Sequence, residues 1–241
     1  WVGSFYRGLN FVNLFSSDFT HLEEIRGASD NNVVSCILED KHENLWLATD
    51  GGGIVHYDKK HELLETYNKH TRPVIASNNT LHMAFDKDES LWVGTYFGGL
   101  QFIDIKNQVV EIYKHDEKDS SSISGDVVWY VFIDSKDVVW LGTEQGISRY
   151  DSITKSFSNF NCSNSPIKSE NVRVIYEDRR GDYWFGTEYA LYRYDSDEIF
   201  HEYVHDIKDP VETYSAAEFC RDASSLCDSI ISRGKTPLLV G

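Results

Sequence analysis

Short apolar runs alternate with short polar turns along most of the chain. The runs are rich in β-branched and aromatic residues, as at 33–38 and 127–133, and an aspartate follows each closely. Runs of this length bounded by turn-forming residues predict β-strands joined in hairpins. The 3.6-residue apolar period of an amphipathic helix does not appear. The pattern therefore predicts an all-β chain.

One unit recurs at a nearly fixed period and is marked by the phrase Trp-x-Gly-Thr or a close variant. Subtracting successive positions of the marker tryptophans gives intervals of 45, 46, 48 and 44 residues. From the second marker onward, an aspartate stands six residues before the tryptophan. The tryptophans are Trp1, Trp46, Trp92, Trp140 and Trp184, and the aspartates are Asp40, Asp86, Asp134 and Asp178.

Each unit reads as four short antiparallel strands, labelled A to D in chain order. Strand B carries the tryptophan phrase, a turn usually containing glycine joins it to strand C, and strand D has an aromatic residue such as Tyr67 or Tyr113. Four strands in about 45 residues are typical of one blade of a β-propeller. The sequence therefore predicts a propeller with about four and a half to five blades in this chain, as part of a larger propeller.

The repeat ends before the chain does. We place the propeller repeats at residues 1–210 and a divergent tail at residues 211–241, where the next Trp-x-Gly-Thr phrase is missing. The tail has three interpretations: a broken reading frame or truncated end, a native cap, or a strand A that completes the first blade and closes a ring of five. Closure matters because an open blade leaves unpaired strand edges.

Three repeated residue types have predicted structural roles. The glycine two positions after the tryptophan lets neighbouring sheets approach closely, because it has no side chain to hold them apart. The tryptophan fills the space between blades. The aspartate six residues before the tryptophan caps the turn between strands A and B. We therefore interpret all three as residues of the fold rather than of a ligand site.

The charge balance restricts the possible partners. With 23 Lys and Arg against 39 Asp and Glu, the formal net charge is −16. Non-specific nucleic-acid binding needs clustered Lys and Arg, and an anionic lipid surface repels a negative protein. The sequence has no run of 18 apolar residues that could span a membrane. We therefore expect no nucleic-acid partner and no membrane contact by this segment.

Two kinds of stretch imitate metal-binding motifs. Residues 201–205 match the HExxH zinc pattern, which needs a helix to bring both imidazoles to one ion. Here they align with strand D, which would hold the imidazoles roughly 13 Å apart. Acidic turns such as 86–89 lack the spacing of a calcium loop. No Ser-His-Asp or Cys-His set is visible, so we predict no metal, no cofactor and no catalytic residue.

Topology points to one face of the propeller as a ligand site. The D–A and B–C connections of a four-stranded blade emerge on the same face, and loops of this kind carry binding residues. Aromatic, amide, arginine and carboxylate side chains there suit a sugar, which stacks on rings and hydrogen-bonds through hydroxyls. The first three B–C turns are also one residue longer than the last two. The candidate ligand-binding residues are Tyr6, Arg7, Asn32, Asn78, Tyr96, Phe97, Asp126, Glu144, Gln145, Glu188 and Tyr189.

The repeated phrase also resembles a known family. W-[LV]-G-T-x-x-G-[GL]-x-x-[YF]-D, with aspartate six residues upstream of the tryptophan, is similar to the two-component regulator propeller repeat over roughly residues 1–206. The resemblance implies the periplasmic sensor region of a hybrid two-component system of the Bacteroidota type, which detects an oligosaccharide or similar polar ligand. It further implies that the partners are additional blades and signalling domains of the same protein, that the full-length protein is a homodimer, and that this segment catalyses nothing.

Two other functions stay open. A propeller can be a protein-interaction scaffold without a small ligand, or it can carry the active site of a polysaccharide lyase or hydrolase. For the enzyme, the candidate acids on the ligand face are Glu144 and Glu188.

Overall fold

The computed structural model describes residues 33–168 and 170–204, together with the backbone of three short strands among the first 32 residues. This part of the chain consists of antiparallel sheets and contains no α-helix. It therefore also contains no helix long and apolar enough to cross a bilayer. The predicted boundary between repeats and tail, at residues 210 and 211, lies outside the described residues.

Within the described residues, the strands form one three-stranded and four four-stranded sheets. We call them the first to fifth blades in chain order. The first blade comprises β1 (Val2–Ser4), β2 (Gly8–Val12) and β3 (Phe19–Leu22). The second comprises β4 (Val34–Glu39), β5 (Leu45–Thr49), β6 (Gly53–Tyr57) and β7 (Leu63–Tyr67), and the third β8 (Thr80–Phe85), β9 (Leu91–Thr95), β10 (Leu100–Asp104) and β11 (Val109–Tyr113). The fourth comprises β12 (Val128–Ile133), β13 (Val139–Thr143), β14 (Gly146–Asp151) and β15 (Ser156–Phe160), and the fifth β16 (Val172–Glu177), β17 (Tyr183–Thr187), β18 (Ala190–Tyr194) and β19 (Phe200–Val204).

Strand order within each blade follows the chain. In the second to fifth blades, strands A, B, C and D lie side by side and every pair is antiparallel. Strands A of neighbouring blades pack against each other, β4 on β8, β8 on β12 and β12 on β16, and so form the inner edge of the array. The predicted all-β blade architecture is confirmed.

The repeated aspartate and tryptophan form one hydrogen-bonded unit. Asp134 Oδ1 accepts the backbone N–H of Lys136 at 2.8 Å and of Val138 at 2.9 Å, which caps the A–B turn as predicted. Its Oδ2 accepts the indole N–H of Trp140 at 3.0 Å. The same indole bond joins Trp46 to Asp40 at 3.3 Å, Trp92 to Asp86 at 3.2 Å and Trp184 to Asp178 at 3.0 Å. This second bond, which the sequence analysis missed, explains the fixed spacing of six residues.

The core lies between blades rather than within them. Buried Trp140 of the fourth blade packs on Tyr183 and Phe185 of the fifth, with ring centroids 4.6 and 5.8 Å apart. Trp46 of the second blade meets the ring of Phe85 of the third edge-on at 5.8 Å. The predicted packing role of the tryptophan is confirmed at these junctions, where large aromatic rings fill the space between twisted sheets.

The glycine of the phrase marks the closest approach of two blades. A Cβ on Gly94 would lie 2.6 Å from the carbonyl oxygen of Val128, and one on Gly142 would lie 2.5 Å from that of Val172. Both valines belong to strand A of the next blade, so the predicted reason for this glycine is confirmed. Ala48 occupies the position in the second blade, which shows that not every junction requires glycine.

Candidate ligand-binding rim

Backbone hydrogen bonds tie the B–C turns to the D–A connections at one face, which we call the rim. In the B–C turn of the third blade, the Tyr96 N–H donates to Asn79 O at 2.9 Å, and Asn79 lies in the D–A connection that leads from the second blade into the third. The same turn also binds the connection into the next blade, from Gly99 N–H to Asp126 O at 2.9 Å. In the fourth blade, Gly146 N–H similarly binds Glu170 O of the next connection at 2.8 Å. The rim is therefore a continuous hydrogen-bonded surface that crosses blade boundaries.

Strand A of each complete blade begins with a β-bulge beside the rim. Its register with strand B shifts between residues 34 and 36, 80 and 82, 128 and 130, and 172 and 174. A bulge inserts one unpaired residue and re-aims its side chain. The four bulged residues differ entirely in chemistry and are Ser35, Leu81, Trp129 and Arg173.

Three aromatic side chains from two blades meet at the rim. Tyr96 and Phe97, in the B–C turn of the third blade, are 43% and 64% exposed, and their ring centroids are 4.5 Å apart. The bulged Trp129 of the fourth blade lies 6.0 Å from Tyr96. Aromatic groups this exposed offer apolar faces to a ligand while their packing limits their motion.

The bulged arginine of the fifth blade covers one face of this tryptophan. The Arg173 guanidinium carbon lies 3.6 Å from the Trp129 ring centroid, a cation–π contact. One guanidinium nitrogen also donates to Glu188 at 3.1 Å, and the Trp129 indole N–H donates to Asn171 Oδ1 at 3.2 Å. The B–C turn of the fifth blade is thereby linked to the bulge of the fourth.

Three of the predicted site residues use their side chains to hold the backbone. Glu144 accepts the N–H groups of Asp126 and Val127 at 3.1 and 2.9 Å, and burial raises the pKa of its carboxyl. Asp126 accepts the His115 N–H at 2.9 Å, and Asn78 accepts the Lys69 N–H at 2.8 Å. These acceptors are occupied within the protein, which leaves them less free to bind a ligand than the aromatic side chains.

The other predicted residues have more varied positions. Glu188 is paired with Arg173, whereas Gln145 and Tyr189 are exposed at the tips of their turns. Tyr6, Arg7 and Asn32 lie outside the described residues. The turn that carries Tyr96 and Phe97 spans residues 96–99, against 144–145 and 188–189 in the next two blades, so it is longer, as expected.

Trp129, Asn171 and Arg173 were missed by the sequence analysis. Of the six tryptophans in the sequence, Trp129 is the one that stands outside the repeated phrase. Because a bulge adds a residue inside the apolar run, simple alternation does not reveal which side chain turns toward the rim. Comparing the internal repeats gives the one usable signal, since this position of strand A changes from serine to leucine, tryptophan and arginine.

The HExxH stretch has the strand geometry predicted for it as far as the structure describes it. His201 lies in β19, and its Nε2 is 2.6 Å from Asp195 Oδ2. His205 lies outside the described residues. Within the described ranges, no three His, Cys, Asp or Glu side chains are placed to hold a metal ion.

Comparison with protein families gives two different matches along the chain. Residues 27–51 and 166–189 match the two-component regulator propeller family, so the resemblance of the repeats is confirmed. Residues 193–241 match the IPP transferase family, and that match begins inside β18, a strand of the fifth blade. A tRNA dimethylallyltransferase of Legionella pneumophila is 72% identical over 39 residues, which are 16% of this chain and 12% of that protein. The chain thus spans about an eighth of that relative.

Solved propellers share the fold. A structure described as the extracellular domain of a hybrid two-component system from B. thetaiotaomicron superposes with a TM-score of 0.61 at 24% identity, covering 76% of this chain and 26% of that one. Virginiamycin B lyase from Staphylococcus aureus gives a TM-score of 0.64 at 14% identity, covering 85% of this chain and 65% of that one. At such identities the likeness establishes the propeller fold alone.

Proposed function

We propose that this chain, which carries two-component regulator propeller repeats, is the ligand-sensing propeller segment of a two-component signalling regulator. The matches to that repeat family and the fold shared with an extracellular domain of such a system support this assignment. The segment works outside the cytoplasm, in the periplasm, and catalyses no reaction itself. Further blades, the signalling domains of the same protein and a second copy of it are its partners.

The ligand is an oligosaccharide or a similarly polar molecule that binds at the rim. One observation carries this proposal: Tyr96, Phe97 and Trp129 form an aromatic cluster beside the charged pair Arg173 and Glu188. Ring faces accept the apolar face of a sugar, while guanidinium and carboxylate groups bind its hydroxyls. A few polar groups among aromatic side chains are typical of small-ligand sites.

Signalling follows from the distribution of these residues over three blades. The third blade contributes Tyr96 and Phe97, the fourth Trp129, and the fifth Arg173 and Glu188. A ligand that contacts all three binds most tightly to one relative arrangement of the blades. It therefore shifts the population toward that arrangement, which the distant signalling domains detect.

The test is loss of binding after removal of the aromatic side chains of the third blade. A panel of neutral oligosaccharides is titrated calorimetrically into the 241-residue chain, and the tightest ligand is then titrated into the Y96A/F97A variant. We expect a loss of at least about 1 kcal/mol, or roughly fivefold in Kd, because aromatic packing of this kind contributes at least that much. Ile153→Ala, an exposed apolar truncation in the C–D turn of the fourth blade, is the control and leaves Kd unchanged.

Two results would contradict the proposal. If Y96A/F97A and the unmodified chain bind the oligosaccharide with equal affinity, the ligand does not bind at the rim. New reducing ends in the titrated mixture would show turnover, and the chain would then be an enzyme rather than a sensor segment.

A further inference from the structure

A groove on the face opposite the rim has the features of a second binding site. It lies between the fourth and fifth blades, has a volume of about 610 Å³, and is bordered by the A–B turns at 135–138 and 179–182. We call it the turn-face groove. Its volume is in the range of about 300–1,000 Å³ that is usual for small-ligand pockets. Its cationic side chains are Lys136, Arg149, Arg179 and Arg180.

Most of these cations have no acidic partner in the described part of the chain. The guanidinium of Arg149 lies 5.6 Å from the ring centroid of Trp140, and no carboxylate of the described residues pairs with it. Lys136 and Arg179 are exposed on the two turns and likewise form no ion pair there. Arg180 has only a long contact, 3.9 Å, with Asp178 of its own turn. Three of the four cations of this groove thus form no ion pair with the described residues.

Four of the five carboxylates of the groove, by contrast, already accept hydrogen bonds from the protein. Asp134 binds two backbone N–H groups, the Trp140 indole and the Tyr183 hydroxyl, the last at 2.6 Å. Glu177 uses both oxygens on Ser135, accepting its N–H and its hydroxyl at 2.7 Å each. Asp178 and Asp195 are similarly occupied by their own turns. The groove therefore presents unpaired cationic donors next to four carboxylates whose hydrogen-bonding capacity is used within the protein.

The equivalent groove between the third and fourth blades has fewer unpaired cations. It is smaller, about 410 Å³, and two of its three lysines are paired, while the third, Lys136, lines both grooves. Lys87 contacts Asp137 at 2.8 Å, and Lys155 contacts Glu111 at 2.9 Å. Among the described residues, this neighbouring groove thus has one unpaired cation, whereas the turn-face groove has three.

We propose that the turn-face groove binds a sugar carrying a single carboxylate, independently of the rim. A planar guanidinium donates two parallel hydrogen bonds to a carboxylate, which Arg149 and Arg179 can supply. Glu198 lines the same groove, is exposed and forms no ion pair among the described residues. Its carboxylate accepts hydrogen bonds from sugar hydroxyls and repels a second acid group.

The test compares an acidic disaccharide with its uncharged counterpart. An aldobiouronic acid, which has one carboxylate, and its methyl ester are titrated into the 241-residue chain by calorimetry. We expect the acid to bind at least tenfold more tightly than the ester. The R149Q/R179Q variant should lose at least fivefold in affinity for the acid, whereas the K87Q/K155Q variant, altered in the neighbouring groove, should bind as the unmodified chain does.

Further variants separate binding from folding and from the rim. Arg179→Gln alone changes an exposed turn residue outside the core, so a loss of affinity in it cannot arise from disturbed packing around Trp140. Y96A/F97A should leave binding of the acid unchanged. The groove and the rim are therefore tested independently of each other. Equal affinity for acid and ester, or no loss in R149Q/R179Q, would overturn the proposal. Inorganic phosphate that binds as tightly as the acid would show a simple oxyanion site and would overturn the assignment to a sugar.

Discussion

The repeated aspartate shows how one motif acquires different electrostatics in different blades. Burial opposes ionisation of Asp134, but the hydrogen bonds from Tyr183, the backbone and Trp140 outweigh burial and lower its pKa. In Asp86 burial dominates and, with the nearby charge of Asp137, raises the pKa. Asp134 has an additional donor, because the hydroxyl of Tyr183 reaches it from the next blade. A single hydroxyl across a blade junction thus stabilises a buried charge.

Replacing that hydroxyl should destabilise the fold in a pH-dependent way. We expect Tyr183→Phe to lower the free energy of unfolding by about 1.5–3 kcal/mol at pH 7, the usual contribution of a hydrogen bond to a charged group. Because the folded pKa of Asp134 is lowered, its carboxylate stabilises the fold fully above about pH 4 and loses that effect as the pH falls through the folded pKa. The cost of the variant should therefore shrink below about pH 4.

The measurement is urea denaturation of both proteins across that pH range. Tyr194→Phe is the matched control, since this tyrosine is buried at the same junction and no hydrogen bond affects its hydroxyl among the described residues. A cost for Tyr183→Phe that does not change with pH would show that the hydroxyl acts through packing and not through the charge of Asp134.

At the level of the strand, the sequence was sufficient for the blades but not for the bulges. The sequence predicted strand A at 33–38 and 127–133, and β4 (Val34–Glu39) and β12 (Val128–Ile133) agree within one residue. Hydrophobic alternation and turn residues determine such elements locally. The positions of Trp129 and Arg173 depend on a one-residue register shift against the neighbouring strand, which leaves no local pattern. Tyr96 and Phe97, in a B–C turn, were thus predictable from the sequence, whereas the bulged Trp129 and Arg173 were not.

Strands of neighbouring blades approach closely at the glycine of the repeated phrase. The same Gly→Ala substitution should therefore destabilise the fold by different amounts at two equivalent positions. Gly142→Ala should destabilise the fold by about 1–3 kcal/mol, because the new methyl group would overlap backbone of the next blade that cannot move alone. Gly186→Ala should cost less, since the nearest atom, 2.5 Å from its added Cβ, is a methyl of the exposed Val174 in the same blade. Urea denaturation of the two variants tests this difference. Equal costs would mean that strand geometry, rather than contact between blades, requires the glycine.

At the scale of the whole molecule, each blade has one face directed toward the next blade in the chain. In the third blade this face is buried against the fourth blade, whereas in the fifth blade, the last one described, it is exposed. Leu100 of the third blade and Leu191 of the fifth pair with a glycine of strand B and a tyrosine of strand D in the same register. Leu100 is 0% exposed, whereas Leu191 is 40% exposed. Val174, Tyr176 and Tyr203 of the fifth blade are exposed as well. The described residues thus place no further blade on this side of the fifth blade.

This difference makes the two leucines a matched pair for measuring how much the contact between blades stabilises the molecule. Leu100→Gln should cost at least about 3 kcal/mol, because it removes buried apolar volume and places an amide among apolar side chains. Leu191→Gln should stay within about 1 kcal/mol of the unmodified chain, as exposed substitutions usually do. Chemical denaturation at two protein concentrations gives both values. If Leu191→Gln proves as costly as Leu100→Gln at the higher concentration only, a second molecule covers this face; if it does so at both concentrations, another part of the same chain covers it.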